Sequence, residues 1–313
     1  MNPLFRMFLK LLSSPKIDMQ EDYLKIRKIQ EFLSIKPSKK YNIMDHQIYA
    51  EGNTHNIPVR VFHPQKKKHD DILLFFHGGG WVLGNIDTYT NDCIRMAEQT
   101  GRIVLSVDYR KAPEHPFPAG FNDCYRVTDV LLHQLDLTGI PNVSYINLIG
   151  DSAGGNLVAA VSLRLRNEGK KLPQKQVLIN PVTYWDHKET ACFNSIRENG
   201  YDYGLTSKKM QAYMEMYEPD EEVRKTPYIS PLMENDLTNQ PDSLLLTAEF
   251  DPLRDEGEAY GKKLANAGNR VKVFRMYDTV HNFITGPMTL APVQKAYELI
   301  NEFLNEGVEQ ERE

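Results

Sequence analysis

Cysteine, excess positive charge and long apolar runs are all lacking or scarce in this chain, and each absence removes a class of protein. The three cysteines, Cys93, Cys124 and Cys192, are odd in number, widely spaced and without a C-x-x-C pair. That pattern argues against both a disulfide framework and a zinc site. It fits a reducing compartment, so the expected location is cytoplasmic. A formal net charge of -5 supplies no field that would gather nucleic acid. The basic cluster Lys66-Lys67-Lys68-His69 falls between two strand-like segments and reads as a solvated loop. No apolar stretch approaches the roughly 18 to 20 residues of a membrane span. Residues 1–12 are apolar, but the run is short, is interrupted by Arg6 and Lys10, and lacks a small-residue cleavage site. Neither a secretory signal nor stable membrane insertion is expected from it.

What remains is ordinary for a globular chain: 313 residues, 41% hydrophobic and 25% charged, enough for one large α/β domain with an insertion or for two domains. Leu4, Phe5, Phe8, Leu9, Leu11 and Leu12 fall largely on one helical face. Asp18 followed by Glu21 resembles a helix start ahead of Tyr23, Ile26, Ile29 and Leu33. Two amphipathic helices therefore open the chain, and few basic residues flank them, which favours packing on the protein's own core over a membrane surface. Short strands follow near 43–50, 57–62, 72–77, 103–107, 145–149, 176–180, 244–248 and 271–276. The runs at 72–76 and 103–107 hardly alternate, as in strands buried on both faces of a mainly parallel sheet. Helical stretches at 88–100, 121–135, 153–168, 256–267 and 290–305 lie between strands, a doubly wound α/β order. Between 182 and 242 the rhythm breaks, and Tyr184, Trp185, Phe193, Tyr201, Tyr203, Tyr213 and Tyr217 gather. So long a stretch without strands reads as an inserted helical segment overhanging the crevice at the strands' carboxyl edge.

The strongest local signal is Gly150-Asp151-Ser152-Ala153-Gly154, which runs out of an apolar strand and into a helix. In G-x-S-x-G the serine sits on a sharp strand-to-helix turn. There its hydroxyl points outward, and the free N–H of Ala153 faces any negative charge that develops beside it. Such a serine needs a base, and the base needs a third group to hold its tautomer. Of nine histidines, His281 follows a strand as Ser152 does, whereas His187 lies in the insertion and His115 is boxed between Glu114 and Pro116. Asp251 follows the strand at 244–248, while Asp255 stands where a carboxylate often only favours a helix start. The order Ser152, Asp251, His281 is that of the α/β-hydrolases. His77-Gly78-Gly79-Gly80-Trp81 follows an earlier strand, and its glycines let backbone N–H groups approach a substrate oxygen.

On HGGGW at 77–81, DYRKAPEHPFPA at 108–119, GDSAGGN at 150–156, DPLRDEG at 251–257 and His281, the chain resembles the hormone-sensitive-lipase-like serine esterases of the GDSAG branch. The resemblance covers about 43–305 and implies an α/β-hydrolase fold: a mostly parallel central sheet flanked by helices, with a helical cap. It implies Ser152 as nucleophile, Asp251 and His281 as its partners, and N–H groups of Gly78, Gly79 and Ala153 as the oxyanion hole. It also implies that residues 1–42 and the insertion at 184–241 form the cap over a core of 43–183 and 242–313. Trp81, Tyr184, Trp185 and Phe283 are assigned to the substrate pocket. In one departure, His281 is followed by Asn282 where the family usually has glycine. Asparagine is the residue that best replaces glycine at positive φ.

The reading is a serine carboxylesterase that hydrolyses short- to medium-chain esters through an acyl-enzyme. It takes a small-molecule ester, no nucleic acid, no metal and no cofactor, and a homodimer stays open. An amidase or lactonase with the same triad is one alternative. Another is a non-catalytic small-molecule receptor, since receptors that resemble this family lack the catalytic histidine; the presence of His281 favours the enzyme.

Overall fold

The unalternating apolar runs become the middle of a single sheet. A computed structural model describes residues 6–7, 9–10, 13, 18–34, 41–134, 140 and 143–306. The strands β1 (Asn42–Tyr49), β2 (Asn56–His63), β3 (Ile72–Phe76), β4 (Ile103–Val107), β5 (Ile146–Asp151), β6 (Lys175–Ile179), β7 (Asp242–Phe250) and β8 (Val271–Val280) pair in the order β1-β2-β4-β3-β5-β6-β7-β8. The first two are antiparallel to each other, and β2 is antiparallel to β4; every later pairing is parallel. Every residue of β3, β4, β5 and β6 is buried, whereas β2 alternates and β1 is mostly exposed. Burial on both faces removes the need for a polar face, which is why those strands read as continuous apolar runs.

Around the sheet run α1 (Met19–Leu33), α2 (Thr90–Thr100), α3 (Ala119–His133), α4 (Ala153–Asn167), α5 (Asn194–Asn199), α6 (Ser207–Tyr217), α7 (Glu221–Arg224), α8 (Arg254–Asn266) and α9 (Ala291–Asn305). Successive strand residues point to opposite faces, so the core divides in two. Ile72, Leu74, Phe76, Leu148 and Leu178 pack with Phe121, Val127, Leu157 and Tyr260 of α3, α4 and α8. Leu73, Phe75, Ile149 and Val177 pack with Ile94 of α2 and with Ile300 and Phe303 of α9. Helix α4 is buried along nearly its whole length and forms the spine behind the central strands.

The N-terminal expectations need correction in two respects. Asp18 does cap α1, accepting Gln20 N–H at 2.9 Å, but the reciprocal bond to Asp18 N–H comes from Asp22 at 3.3 Å and not from Glu21. Met19 is buried and Tyr23 and Ile26 pack on the core, yet Ile29 and Leu33 are 56% and 66% exposed, with Phe32 at 87%. Polar anchors take the inward positions instead. The Arg27 guanidinium donates to Val82 O and Ala112 O at 2.7 Å and pairs with Glu114, and Gln30 accepts Gly84 N–H at 3.4 Å. Of the first predicted helix, residues 6, 7, 9 and 10 are helical and Leu9 is buried, while Leu4, Phe5, Phe8, Leu11 and Leu12 lie outside the described residues. The segment at 184–241 contains α5, α6, α7 and one short 3₁₀ turn, and no strand among the described residues. Helix α6 lies against α1: the Tyr213 hydroxyl is 3.7 Å from Met19 Sδ, and Gln20 donates to Glu215 at 3.4 Å.

Candidate active site

Ser152 occupies the single residue between β5 and α4, with φ 55° and ψ -119°. A non-glycine residue in this region is strained and persists only where its surroundings over-determine it. Here they do. Ser152 N–H donates to Ile179 O at 2.8 Å, and Ser152 O accepts from Asn156 N–H at 3.0 Å. The helix can start this close to the sheet only because residue 154 is glycine: a Cβ there would stand 1.9 Å from Phe76 O. The hydroxyl emerges at the helix N-terminus, 4% of the residue's surface remaining exposed.

Its partners come from the two strands at the far end of the sheet. Ser152 Oγ is 2.8 Å from His281 Nε2, and His281 Nδ1 is 2.7 Å from Asp251 Oδ2. The carboxylate is buried and its other oxygen accepts Leu253 N–H at 2.9 Å. With Nδ1–H donating to Asp251, Nε2 is left as acceptor for the serine proton. Burial alone would push the imidazole pKa down, but the Asp251 charge and hydrogen bond, helped by Asp151 and Glu256, outweigh it and hold His281 above the ordinary histidine value. Asp255 does other work, accepting Ser195 N–H at 2.8 Å and pairing with Arg254. His187 is buried against Glu256 at 3.0 Å, and His115 is exposed. Asn282 adopts the left-handed conformation at φ 63°, as its replacement of glycine requires.

The glycine loop lies beside the serine because β3 and β5 are neighbours. Gly79, Gly80 and Trp81 all have positive φ, at 109°, 62° and 59°. Gly78 departs from the expectation: its N–H is already donated to Asp151 Oδ1 at 2.9 Å. A donor bound to a buried carboxylate is not free for a substrate oxygen, whereas the N–H groups of Gly79, Gly80 and Ala153 carry no such bond among the described residues. His77 holds the loop's entry. Burial, then Lys111, push its imidazole down to about 4, so it stays neutral and donates through Nδ1 to Gly78 O at 2.8 Å.

The aromatic pocket assignments separate. Trp81 is 1% exposed and stacks on Tyr217 with centroids 4.3 Å apart, so its ring belongs to the core packing and does not stand open at a mouth. Tyr184 meets Phe193 edge-on at 5.2 Å, and Trp185 lies under the Lys225 ammonium at 4.8 Å; both are half-buried. Phe283 is buried but joins His281, Asn282, Pro287, Leu290 and Val293 around a mainly apolar groove of about 640 Å³. Sequence reasoning missed three residues. Asp151 was visible as the only acid ending a fully buried strand, whereas Tyr89, which donates to Asp151 at 3.1 Å, carried no local signal. Arg95 carried none either; it pairs with Asp92 and donates to Gly286 O at 2.5 Å and Thr285 O at 3.0 Å, fastening the loop behind His281. Among the described residues no group of three or more His, Cys, Asp or Glu is arranged to hold a metal ion, and no helix is long and apolar enough to cross a membrane.

The chain is similar to an arylesterase of Saccharolobus solfataricus, 36% identical over 242 residues and covering 75% of each chain. It is 32% identical over 238 residues to an ethyl acetate hydrolase of Pseudomonas putida, covering 74% of this chain and 72% of that one. The hyperthermophilic esterase from the archaeon Pyrobaculum calidifontis has a similar structure, with a TM-score of 0.83, 32% identity, and 96% and 97% of the two chains covered. The family model described as alpha/beta hydrolase fold matches residues 73–285, from β3 to the loop behind His281. The chain therefore belongs to the alpha/beta hydrolase family, among the hormone-sensitive-lipase-like esterases that its motifs resemble.

Proposed function

We propose that this carboxylic ester hydrolase acts through an acyl-enzyme on Ser152. The observation that carries the reading is the continuous hydrogen-bond chain from Ser152 through His281 to Asp251, anchored on a serine held at a strained turn. As Ser152 Oγ attacks the ester carbonyl, its proton passes to His281 Nε2, and Asp251 stabilises the imidazolium that forms. The developing oxyanion is met by the N–H groups of Gly79, Gly80 and Ala153. Collapse expels the alkoxide, which takes the proton back from His281, and water activated by the same imidazole then releases the acid.

Residues 1–42 and 184–241 are read as one cap over a core of 43–183 and 242–313. The contact of α1 with α6, and the Arg27 anchor on Val82 O just past the glycine loop, support that reading. A roof at this place limits acyl length and favours short- to medium-chain esters, in line with the name of the ethyl acetate hydrolase relative. All the named residues lie on one chain, so a monomer or a homodimer serves the chemistry equally. Cys93, Cys124 and Cys192 are all free and Cys192 is exposed, and an exposed free thiol suits a reducing, cytoplasmic setting.

Ser152→Ala should reduce hydrolysis of p-nitrophenyl acetate by about a million-fold without loss of the folded state. A variant that keeps a tenth of the activity would sink the reading.

A further inference from the structure

The acyl-transfer scheme leaves one buried acid beside the nucleophile unused. Asp151 ends β5, immediately before Ser152, and is 1% exposed. Its two oxygens face two different segments: Oδ1 accepts Gly78 N–H at 2.9 Å and Oδ2 accepts the Tyr89 hydroxyl at 3.1 Å. The β3–β5 ladder ends with Phe76 opposite Gly150. Beyond it the two strands diverge into the glycine loop and the serine turn, and the Gly78–Asp151 bond ties those two segments together where the main-chain ladder has stopped. The approach is close enough that a Cβ on Gly78 would lie 2.6 Å from Asp151 Oδ2.

We propose that Asp151 is a positioning residue: its carboxylate fixes the Gly79 and Gly80 N–H donors relative to Ser152 by holding Gly78, and its charge, carried by the residue before the serine whose Oγ lies 2.8 Å from His281 Nε2, biases the protonation of that imidazole. The inference rests on the reading of Ser152 as nucleophile. Oxyanion donors act only when held close to where the charge develops. The loop's own bonds, from Val82 and Leu83 N–H to Gly79 O, set its shape, and the Gly78–Asp151 bond sets where it stands beside the serine turn. The titratable groups near enough to feel the Asp151 charge are Tyr89, Asp92, Cys93, Tyr109 and His281, and the Gly78 N–H donates to it. Burial is the largest influence and Asp92 adds to it, against the Tyr89 hydroxyl, His281 and Gly78, and together they bring the carboxyl up to about 7. The ionised carboxylate in turn favours the charged form of His281.

The test compares Asp151→Ala, Asp151→Asn and wild type on p-nitrophenyl acetate across the acid limb. Asp151→Ala should lower kcat at least ~10-fold while KM stays within about threefold, because a misaligned oxyanion hole is felt mainly in the transition state. Asp151→Asn should recover most of that loss, since its amide oxygen can still accept Gly78 N–H. Its acid limb should nevertheless move to lower pH, because a neutral side chain no longer favours the imidazolium. The Asn variant is nearly isosteric, so this shift can be read even if Asp151→Ala does not fold. Wild-type kcat in Asp151→Ala, or an unmoved acid limb in Asp151→Asn, overturns the proposal. If Ser152→Ala is inactive in the same assay, such a result leaves the serine mechanism standing; an active Ser152→Ala removes the mechanism itself.

Discussion

Asp251 and Asp255 are four residues apart and do different work because of what surrounds them. Asp251 is buried on His281, whereas Asp255 pairs with Arg254 and caps the start of α5. Asp251→Asn should lower turnover by roughly four orders of magnitude, since the imidazole loses its tautomer control. Asp255→Asn should cost far less, and the opposite ranking of kcat would assign the acid to Asp255. A second prediction concerns pH. Only neutral His281 can accept the serine proton, and its pKa is raised. Activity should therefore be lost as pH falls through a midpoint above the ordinary value of about 6.5. A midpoint below that value in pH profiles of kcat/KM would contradict the Asp251 pairing. These residues were legible because each stands just after an apolar strand, in a fixed chain order. The engagement of Gly78 was not. Its acceptor lies 73 positions away in sequence, and no local pattern reports which backbone N–H a distant side chain will occupy.

Elements were legible in proportion to their burial. Strands β3 and β4 announced themselves as unbroken apolar runs, but β8 extends to Val280 while its apolar pattern stops near Met276. It is the edge strand, so Arg275, Tyr277 and Asp278 can face solvent without ending the pairing. Helix α1 misled in the opposite sense: Ile29 and Leu33 supplied the expected apolar positions, yet Arg27 and Gln30 take the inward places through hydrogen bonds that periodicity cannot see. Two predictions belong here. Gly154→Ala sets a methyl group against Phe76 O and should destabilise the fold by at least the ~1–3 kcal/mol typical of overpacking, read from the denaturant midpoint. An unchanged midpoint would mean that β3 and α4 are not held as closely as described. Deleting residues 1–34 should impair hydrolysis and alter the chain-length preference among p-nitrophenyl esters, weakening the bias toward acetate-to-hexanoate acyl groups over long ones, with the residues of the triad retained. Unchanged rates and selectivity on soluble esters, with loss of vesicle binding, would instead make the segment a membrane anchor.

At the scale of the molecule, one edge of the sheet collects the whole site. The glycine loop leaves β3, the serine turn leaves neighbouring β5, the acid leaves β7 and the histidine leaves β8, so the His281 loop reaches back past β7 and β6 to meet Ser152. Parallel strands bring their carboxyl ends to the same side, which is where ligands of open α/β sheets bind. Family membership makes ester hydrolysis the activity; the arrangement accounts for it with a covalent intermediate on one serine. The most direct test is to mix the protein with p-nitrophenyl acetate, quench within the first turnover and determine the mass of the peptide containing Ser152. The account predicts one acetyl group on that serine, appearing with a burst of p-nitrophenol and absent in Ser152→Ala. Turnover with no acetylated Ser152 in wild type, together with an undiminished burst in the Ala variant, would contradict it.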